Sequence, residues 1–228
     1  MGKNEKYLQK SNIERKYPPP VKFNICFLLL GVFLLVSSVF ALKSNAEPTI
    51  VEIGTKEQLI KFQQDIQNKV ISSDTDAKLT ADIDLSGAVW TPIHVSAVTS
   101  MDMLYTGTFD GNGHTISGLK NIASINIGEH NIWGFILFLG EGGVLKNLTI
   151  SGNISEKETN QIGTFAYTNY GTIENCISNC NINAAAVYIG GIAANNSGIY
   201  ARIKNCINNG NISADIPIGQ KKTLPMAV

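Results

Sequence analysis

Hydrophobic and polar positions divide the chain into an N-terminal part, residues 1–46, and a longer part after it. Residues 1–22 are polar and basic, and an uncharged hydrophobic run at 25–42 follows them. A basic segment, an apolar run and a small-residue cleavage site are typical of a secretory signal peptide. The run is also at the lower edge of the length of a membrane-spanning helix, so an uncleaved signal anchor is the alternative. Both interpretations export the rest of the chain, and they limit membrane contact to residues 25–42.

The pattern that follows predicts one amphipathic helix, over residues 55–71. Thr55 and Gln58 fit a capping box, in which the two side chains satisfy free N–H groups of the first turn. Hydrophobic residues then recur at helical spacing on one face, at Leu59, Phe62, Ile66 and Val70. We expect this helix and a few short strands to form an N-terminal cap over residues 47–106.

From residue 134 onward the pattern repeats itself. The best-matched copies are residues 144–155, 172–183 and 202–213, at intervals of 28 and 30 residues. A coil of this length cannot bury its apolar side chains alone, but stacked coils bury them in a continuous core. The repeats therefore predict a mainly β fold built of stacked rungs, where a rung is one complete coil of short strands.

Asparagine stands at two fixed positions of every copy. The first position holds Asn147, Asn175 and Asn205, and the second holds Asn153, Asn181 and Asn211. Asparagine tolerates the left-handed backbone of a bend, and equivalent asparagines on stacked rungs would lie about 4.8 Å apart. At that distance their amides can hydrogen-bond along the column, so we interpret both sets as structural ladders. The alternative is N-glycosylation, because Asn147-Leu-Thr149 and Asn153-Ile-Ser155 match the acceptor pattern.

Another position of the repeat is predicted to stack in the core. Leu148, Cys176 and Cys206 are its occupants in the three copies. The leucine indicates an apolar position, which favours free thiols as small core residues. The spacing of stacked strands also lies within the Cα distance that a disulfide permits, so a Cys176–Cys206 bond is the alternative. The cysteine spacings match no zinc pattern, and we predict no metal site.

An ordered set of segments between residues 50 and 219 resembles a known family. The segments are TKEQLIKF, LTADIDLSG, WTPI, GTFDGNGHTISGL and the repeated apolar stretches followed by Ile-x-Asn-Cys. Together they resemble bacterial surface proteins that carry the GLUG motif, which Gly171-Thr-Ile-Glu-Asn-Cys176 matches well and the first copy, with Leu148, does not. The resemblance implies a right-handed parallel β-helix at residues 107–220, for which we expect three to four rungs. Similar repeats flank the catalytic domain of immunoglobulin A-cleaving metallopeptidases.

Composition and charge narrow the functions. Residues 1–46 carry seven basic and two acidic groups, whereas residues 47–228 carry eleven and sixteen. The exported part is therefore acidic, which argues against a nucleic acid as its partner. The chain has only two arginines, and its three histidines do not form a His-Glu-x-x-His motif. We predict no catalytic residues and no cofactor.

These observations predict an exported, non-enzymatic module with a structural or adhesive role, secreted or displayed on a bacterial surface. The alternatives are the non-catalytic part of a larger surface metallopeptidase and a β-helix that binds or cleaves glycans. Its expected partner is an extracellular ligand of unknown identity, with a host surface or a glycan as candidates. We interpret residues 221–228 as the tail of a truncated solenoid, and we expect end-to-end self-association.

Overall fold

Residues 50–96, 102–157 and 161–214 are described by the computed structural model of the chain. They belong to one compact unit, Pro48–Val228. The interpretations of residues 1–46 as an export segment and of residues 221–228 as a tail lie outside the described residues. Within the described part, no helix is long and apolar enough to cross a membrane.

Most of the described chain forms short strands, with one helix near its start. In chain order the elements are β1 (Val51–Ile53), α1 (Lys56–Gln67), β2 (Ala77–Leu79), β3 (Ile83–Asp84), β4 (Val89–Trp90), β5 (Leu104–Tyr105), β6 (Thr108–Asp110), β7 (Thr115–Leu119), β8 (Asn121–Ile122), β9 (Ile125–Ile127), β10 (His130–Trp133), β11 (Ile136–Leu139), β12 (Val144–Lys146), β13 (Thr149–Glu156), β14 (Gln161–Gly163), β15 (Ala166–Asn169), β16 (Thr172–Glu174), β17 (Ile177–Ala184), β18 (Tyr188–Gly190), β19 (Ala193–Asn196), β20 (Arg202–Lys204), β21 (Ile207–Asn208) and β22 (Ile212–Ala214).

These strands stack into four main sheets that run along a solenoid. Sheet 1 has the order β1-β2-β6-β12-β16-β20, and sheet 2 has the order β21-β17-β13-β7-β3 with β22 also paired to β17. Sheet 3 is β18-β14-β10-β9, sheet 4 is β19-β15-β11-β5, and β4 pairs with β8. Neighbouring strands come from successive rungs and pair in parallel, except that β9 and β10 are antiparallel. The predicted mainly β, parallel solenoid is confirmed.

The solenoid has more rungs than the sequence predicted. Six strands of sheet 1 delimit about five rungs, not three to four. The additional rung is built from β2 to β5, in the segment interpreted as part of the cap. Stacking requires only backbone pairing and inward apolar residues such as Leu79 and Ile83, which are buried. Because this segment lacks an asparagine at its bend, a search for the repeated residues does not find it.

The helix was predicted correctly at its start and not at its end. The capping box of Thr55 and Gln58 is present, and Leu59, Phe62 and Ile66 are buried against the core. Val70 is 67% exposed, so its placement on the buried face was wrong. The helix ends before it, and the chain turns through Lys69 in the left-handed conformation, with φ of 59°. Val70 therefore leaves the helical face.

One rung is longer than its neighbours. Val144 pairs with Thr108, 36 residues earlier, whereas Thr172 pairs with Val144, 28 residues earlier. The longer rung contains the antiparallel hairpin β9–β10, which turns at Gly128 with φ of 63°. This hairpin adds side chains to the outside of the solenoid.

The described end of the solenoid exposes positions that are buried in the preceding rung. Ile203 and Ile212 are 39% and 43% exposed, whereas their partners Ile173 and Ile182 are buried. The strands β20, β21 and β22 are the last members of their sheets among the described residues. Apolar side chains and strand edges are thus presented together at this end.

Candidate functional site

The first asparagine position forms the bend between sheet 1 and sheet 2 on successive rungs. Asn147, Asn175 and Asn205 have φ of 53°, 54° and 51°, the left-handed region that asparagine enters at low cost. Asn175 Nδ2 donates to Asn147 Oδ1 at 3.3 Å, and Asn205 Nδ2 donates to Asn175 Oδ1 at 3.3 Å. Each asparagine therefore sets the backbone of its bend and bonds to its equivalent on the next rung.

This ladder ends on a carboxylate that the sequence analysis missed. Asn147 Nδ2 donates to Asp110 Oδ1 at 3.0 Å, and the backbone N–H of Asn112 donates to the same oxygen at 2.8 Å. Burial alone would raise the pKa of Asp110, but these hydrogen bonds and the Lys146 ammonium group outweigh it and hold the pKa below its usual range. The sequence did not indicate this contact, because Asp110-Gly111-Asn112 does not align with the asparagine of the later repeats.

The second asparagine position lies on the outward side of sheet 2. Asn181 Nδ2 donates to Asn153 Oδ1 at 2.9 Å. At the next rung the donor is a backbone group instead of a side chain, because the backbone N–H of Asn211 donates to Asn181 Oδ1 at 3.0 Å. A third pair, which the sequence analysis did not single out, joins Asn209 Nδ2 to Asn179 Oδ1 at 3.0 Å.

The outward side of β13, β17 and the last described rung of sheet 2 forms an uncharged surface, which we call the neutral face. Its members are Ser151, Asn153, Ser155, Asn179, Asn181, Asn183, Asn209, Asn211 and Ser213. Strand geometry spaces these side chains about 4.8 Å apart across the rungs and about 7 Å apart along each strand. A shallow groove of about 300 Å³ runs over the part that contains Asn153, Asn181 and Asn211. Amides and hydroxyls both donate and accept, so this surface can bind a neutral polar ligand at many points.

The stacked core position contains no disulfide. Leu148 and Cys176 are buried, Cys206 is half-buried, and the cysteines of the described rungs are free thiols. A hydrogen bond with the Cys206 sulfur, together with burial, raises the pKa of Cys176. The same bond lowers the pKa of Cys206 to about 7.

Charged side chains form a separate column on the outward side of sheet 1. Cross-strand partners alternate in sign along the whole sheet, in the order Glu52, Lys78, Asp110, Lys146, Glu174 and Lys204. Lys146 Nζ lies 3.6 Å from Asp110 Oδ2, and Lys204 Nζ lies 4.0 Å from Glu174 Oε2. Like charges directly opposite each other destabilise a sheet, so the alternation favours this register. The alternation of charge is visible only when the pairing register of sheet 1 is known, so the sequence alone did not indicate it.

His and carboxylate side chains do not gather into a metal site in the described part of the chain. There, no group of three or more His, Cys, Asp or Glu residues is placed to hold an ion. Asp82 instead accepts from the backbone N–H of Thr115 at 2.9 Å, and its Oδ1 lies 3.1 Å from His114 Nδ1. The bond from Thr115 is the main reason that the pKa of Asp82 is lowered.

The chain is similar to segments of two much longer proteins. It is 34% identical over 129 residues to Halomucin of Haloquadratum walsbyi, which covers 53% of this chain and 1% of Halomucin. It is 32% identical over 102 residues to a putative Gly-rich membrane protein of Evansella cellulosilytica, which covers 44% of this chain and 11% of that protein. No protein-family model and no solved structure matches the chain. The chain thus spans only a small share of the length of these relatives.

We expect the bend ladder to be a measurable source of stability. Asn175→Ala forces alanine into a left-handed backbone and removes two hydrogen bonds between side-chain amides. The free energy of unfolding should therefore fall by about 1–3 kcal/mol. Asn175→Gly should lose less, because glycine adopts this backbone freely. The measurement is urea unfolding followed by circular dichroism.

Asn183→Ala is the matched control, because Asn183 is exposed on β17 away from the bend. It should change the free energy of unfolding by no more than about 0.5 kcal/mol. Equal losses for Asn175→Ala and Asn183→Ala would contradict the ladder's role.

Proposed function

We propose that this chain is an exported, non-enzymatic module of a bacterial surface or secreted protein, related to the GLUG-motif proteins that it resembles, with a structural and adhesive role. The observation that carries the proposal is the neutral face, a regular array of amides and hydroxyls on a stacked scaffold. Such an array offers repeated, equally spaced contacts to an extended polar ligand. Repeated weak contacts add up to strong attachment when they engage together.

The similarity to long proteins supports a place for the module within a larger surface assembly. One relative is named Halomucin and the other a putative Gly-rich membrane protein, and this segment corresponds to a small part of each. A solenoid of parallel strands is well suited to that setting, because rungs can be added without changing the fold. The similarity to small parts of long proteins is equally consistent with the alternative, a non-catalytic part of a larger surface metallopeptidase. A His-Glu-x-x-His motif encoded in the same reading frame would favour that alternative.

We also propose that the solenoid associates head to tail through its described end. Ile203 and Ile212 are exposed there beside strand edges that pair with no further strand among the described residues, and such edges can pair with another chain. Lys204 ends the charge column at that end, and Glu52 begins it at the other. A second copy stacked head to tail would place Glu52 over Lys204 and continue the alternation. A head-to-head pair would instead bring lysines together.

Export is tested on intact cells. The full chain with a C-terminal epitope tag should be reached by antibody and by added protease in unbroken bacteria. Deleting residues 25–42 is the control, and it should keep the tag inside. Protection of the tag in the undeleted chain until the cells are lysed would contradict the proposal.

Head-to-tail association is tested by exchanging charges. The full chain should associate at micromolar concentration in analytical ultracentrifugation, and Lys204→Glu should weaken this association because it opposes two acids. Lys204→Glu combined with Glu52→Lys should restore it, since the contact regains opposite signs. A monomer at high concentration, or a double variant as weak as the single one, would contradict head-to-tail stacking. Ser155→Lys, which adds a charge on β13, two rungs from the described end, should have no effect.

A further inference from the structure

A second cavity lies outside the solenoid core, away from the neutral face. It has a volume of about 180 Å³ and opens where the hairpin β9–β10 meets β11 and β15. Its wall is aromatic and apolar with a few polar groups, namely Ile127, His130, Ile132, Phe138, Tyr167, Thr168 and Tyr170. Its composition is that of a ligand pocket, and its volume is below the roughly 300–1,000 Å³ of a site for a drug-sized ligand, so only a smaller ligand would fit.

The cavity depends on the one irregular rung. The hairpin adds Ile127 and His130 to the outside, and Asn126 Nδ2 holds its two strands together by donating to Asn131 Oδ1 at 3.0 Å. Beneath it, Ile132 and Phe138 belong to an apolar cluster that is separate from the main core. The other rungs lack this hairpin among the described residues, so the cavity occurs once and is not part of the repeat.

Its aromatic side chains supply both ring surface and hydroxyl groups. Phe138 and Tyr167 meet at an interplanar angle of 76° with ring centroids 5.3 Å apart, which forms a corner. Burial raises the pKa of the Tyr167 phenol, and the nearby phenols of Tyr170 and Tyr188 raise it further, while a hydrogen bond with Thr168 opposes them. The Tyr167 phenol therefore stays neutral at physiological pH, and phenol hydroxyls can both donate and accept. The lining contains no carboxylate, lysine or arginine.

Size and polarity together select the class of ligand. A cavity of about 150 Å³ holds one benzene ring, so a cavity of about 180 Å³ matches a single six-membered ring. A wall without carboxylate, lysine or arginine disfavours ionic ligands, because a charge would lose its hydration without gaining an oppositely charged partner among those residue types. A pyranose sugar has the required size, a face of C–H groups for an aromatic ring and hydroxyls at its rim.

We propose that this cavity binds one neutral pyranose unit, the terminal sugar of a glycan. The sugar's C–H face lies against the corner formed by Phe138 and Tyr167, and its hydroxyls bond to Tyr170, Thr168 and His130. This inference rests on the proposed adhesive function only for the extracellular location of the cavity. It adds the chemical class of the ligand to that function. It assigns binding and no bond cleavage, because the lining lacks the two carboxylates that glycoside hydrolysis uses.

The test is saturation-transfer-difference NMR on the purified full chain, in a detergent without a sugar headgroup. The probes are the methyl β-glycosides of glucose and galactose and the methyl α-glycoside of mannose, with cyclohexanol as the apolar control. At least one glycoside should receive saturation with a Kd of about 1 mM, the range of a single small contact, and cyclohexanol should not. Transfer to none of the glycosides, or equal transfer to cyclohexanol, would overturn the proposal.

Variants assign the signal to the cavity. Tyr167→Ala should weaken binding at least tenfold, and Tyr170→Phe, which removes one hydroxyl, should weaken it several-fold without changing the shape. Tyr200→Ala is the control, because Tyr200 is 58% exposed and does not line the cavity. If Tyr167→Ala does not fold, Tyr170→Phe decides. Binding that survives both substitutions would overturn the assignment.

An aromatic peptide side chain is the competing occupant. N-acetyl-tyrosinamide is added as a fourth probe, and saturation of this amide without saturation of any glycoside would also overturn the proposal. This outcome is independent of surface exposure, which is measured on cells. The sugar site can therefore fail while the exported module stands, and export can fail while the sugar site stands.

Discussion

In-register stacking of backbone on backbone is the constraint on which the rest of this structure depends. Each rung bonds to the next along its strands and also at its bends, where Asn147 N donates to Glu174 O and Asn175 N donates to Lys204 O. The side chains of residues that pair across rungs are thereby held about 4.8 Å apart. A residue suits this fold only if it packs or bonds well with its own equivalent.

This constraint explains the composition. Isoleucine stacks on isoleucine inside, as Ile154 does on Ile182, and asparagine bonds to asparagine at bends and on the outward face. Charged residues stack poorly on themselves, and only 16% of the chain is charged. Where charges do stack, in the outward column of sheet 1, their sign alternates from rung to rung. The neutral face follows the same rule, because its asparagines and serines also stack on polar equivalents. The result is an array of amides and hydroxyls that can contact a ligand.

The sequence predicts those parts of the fold that repeat as residues. The copies at 144–155, 172–183 and 202–213 identify the stacked rungs and their asparagines, and the capping box identifies the start of the helix. The rung from β2 to β5 was missed because it has the backbone path of the other rungs but not their repeated residues. Asp110 was missed for a related reason, since it bonds to Asn147 from a bend of different sequence.

The tyrosine-lined cavity could not be predicted for a third reason. It brings together Ile127 and Tyr170, which are far apart in the chain, through a hairpin that interrupts the repeat. Periodicity locates what is regular, whereas this site arises where the regular pattern is broken. The regular rungs supply a scaffold, and the irregular rung supplies the feature with a defined shape.

Scalar couplings across hydrogen bonds test the stacking most directly. NMR of the labelled protein should show couplings from the amide nitrogen of Asn147 to the carbonyl carbon of Glu174, and likewise from Ile177 to Leu148 and from Ile182 to Asn211. Each pair is separated by about one rung of sequence, as parallel stacking requires. Couplings between these strands and their immediate sequence neighbours, as in antiparallel hairpins, would contradict the account.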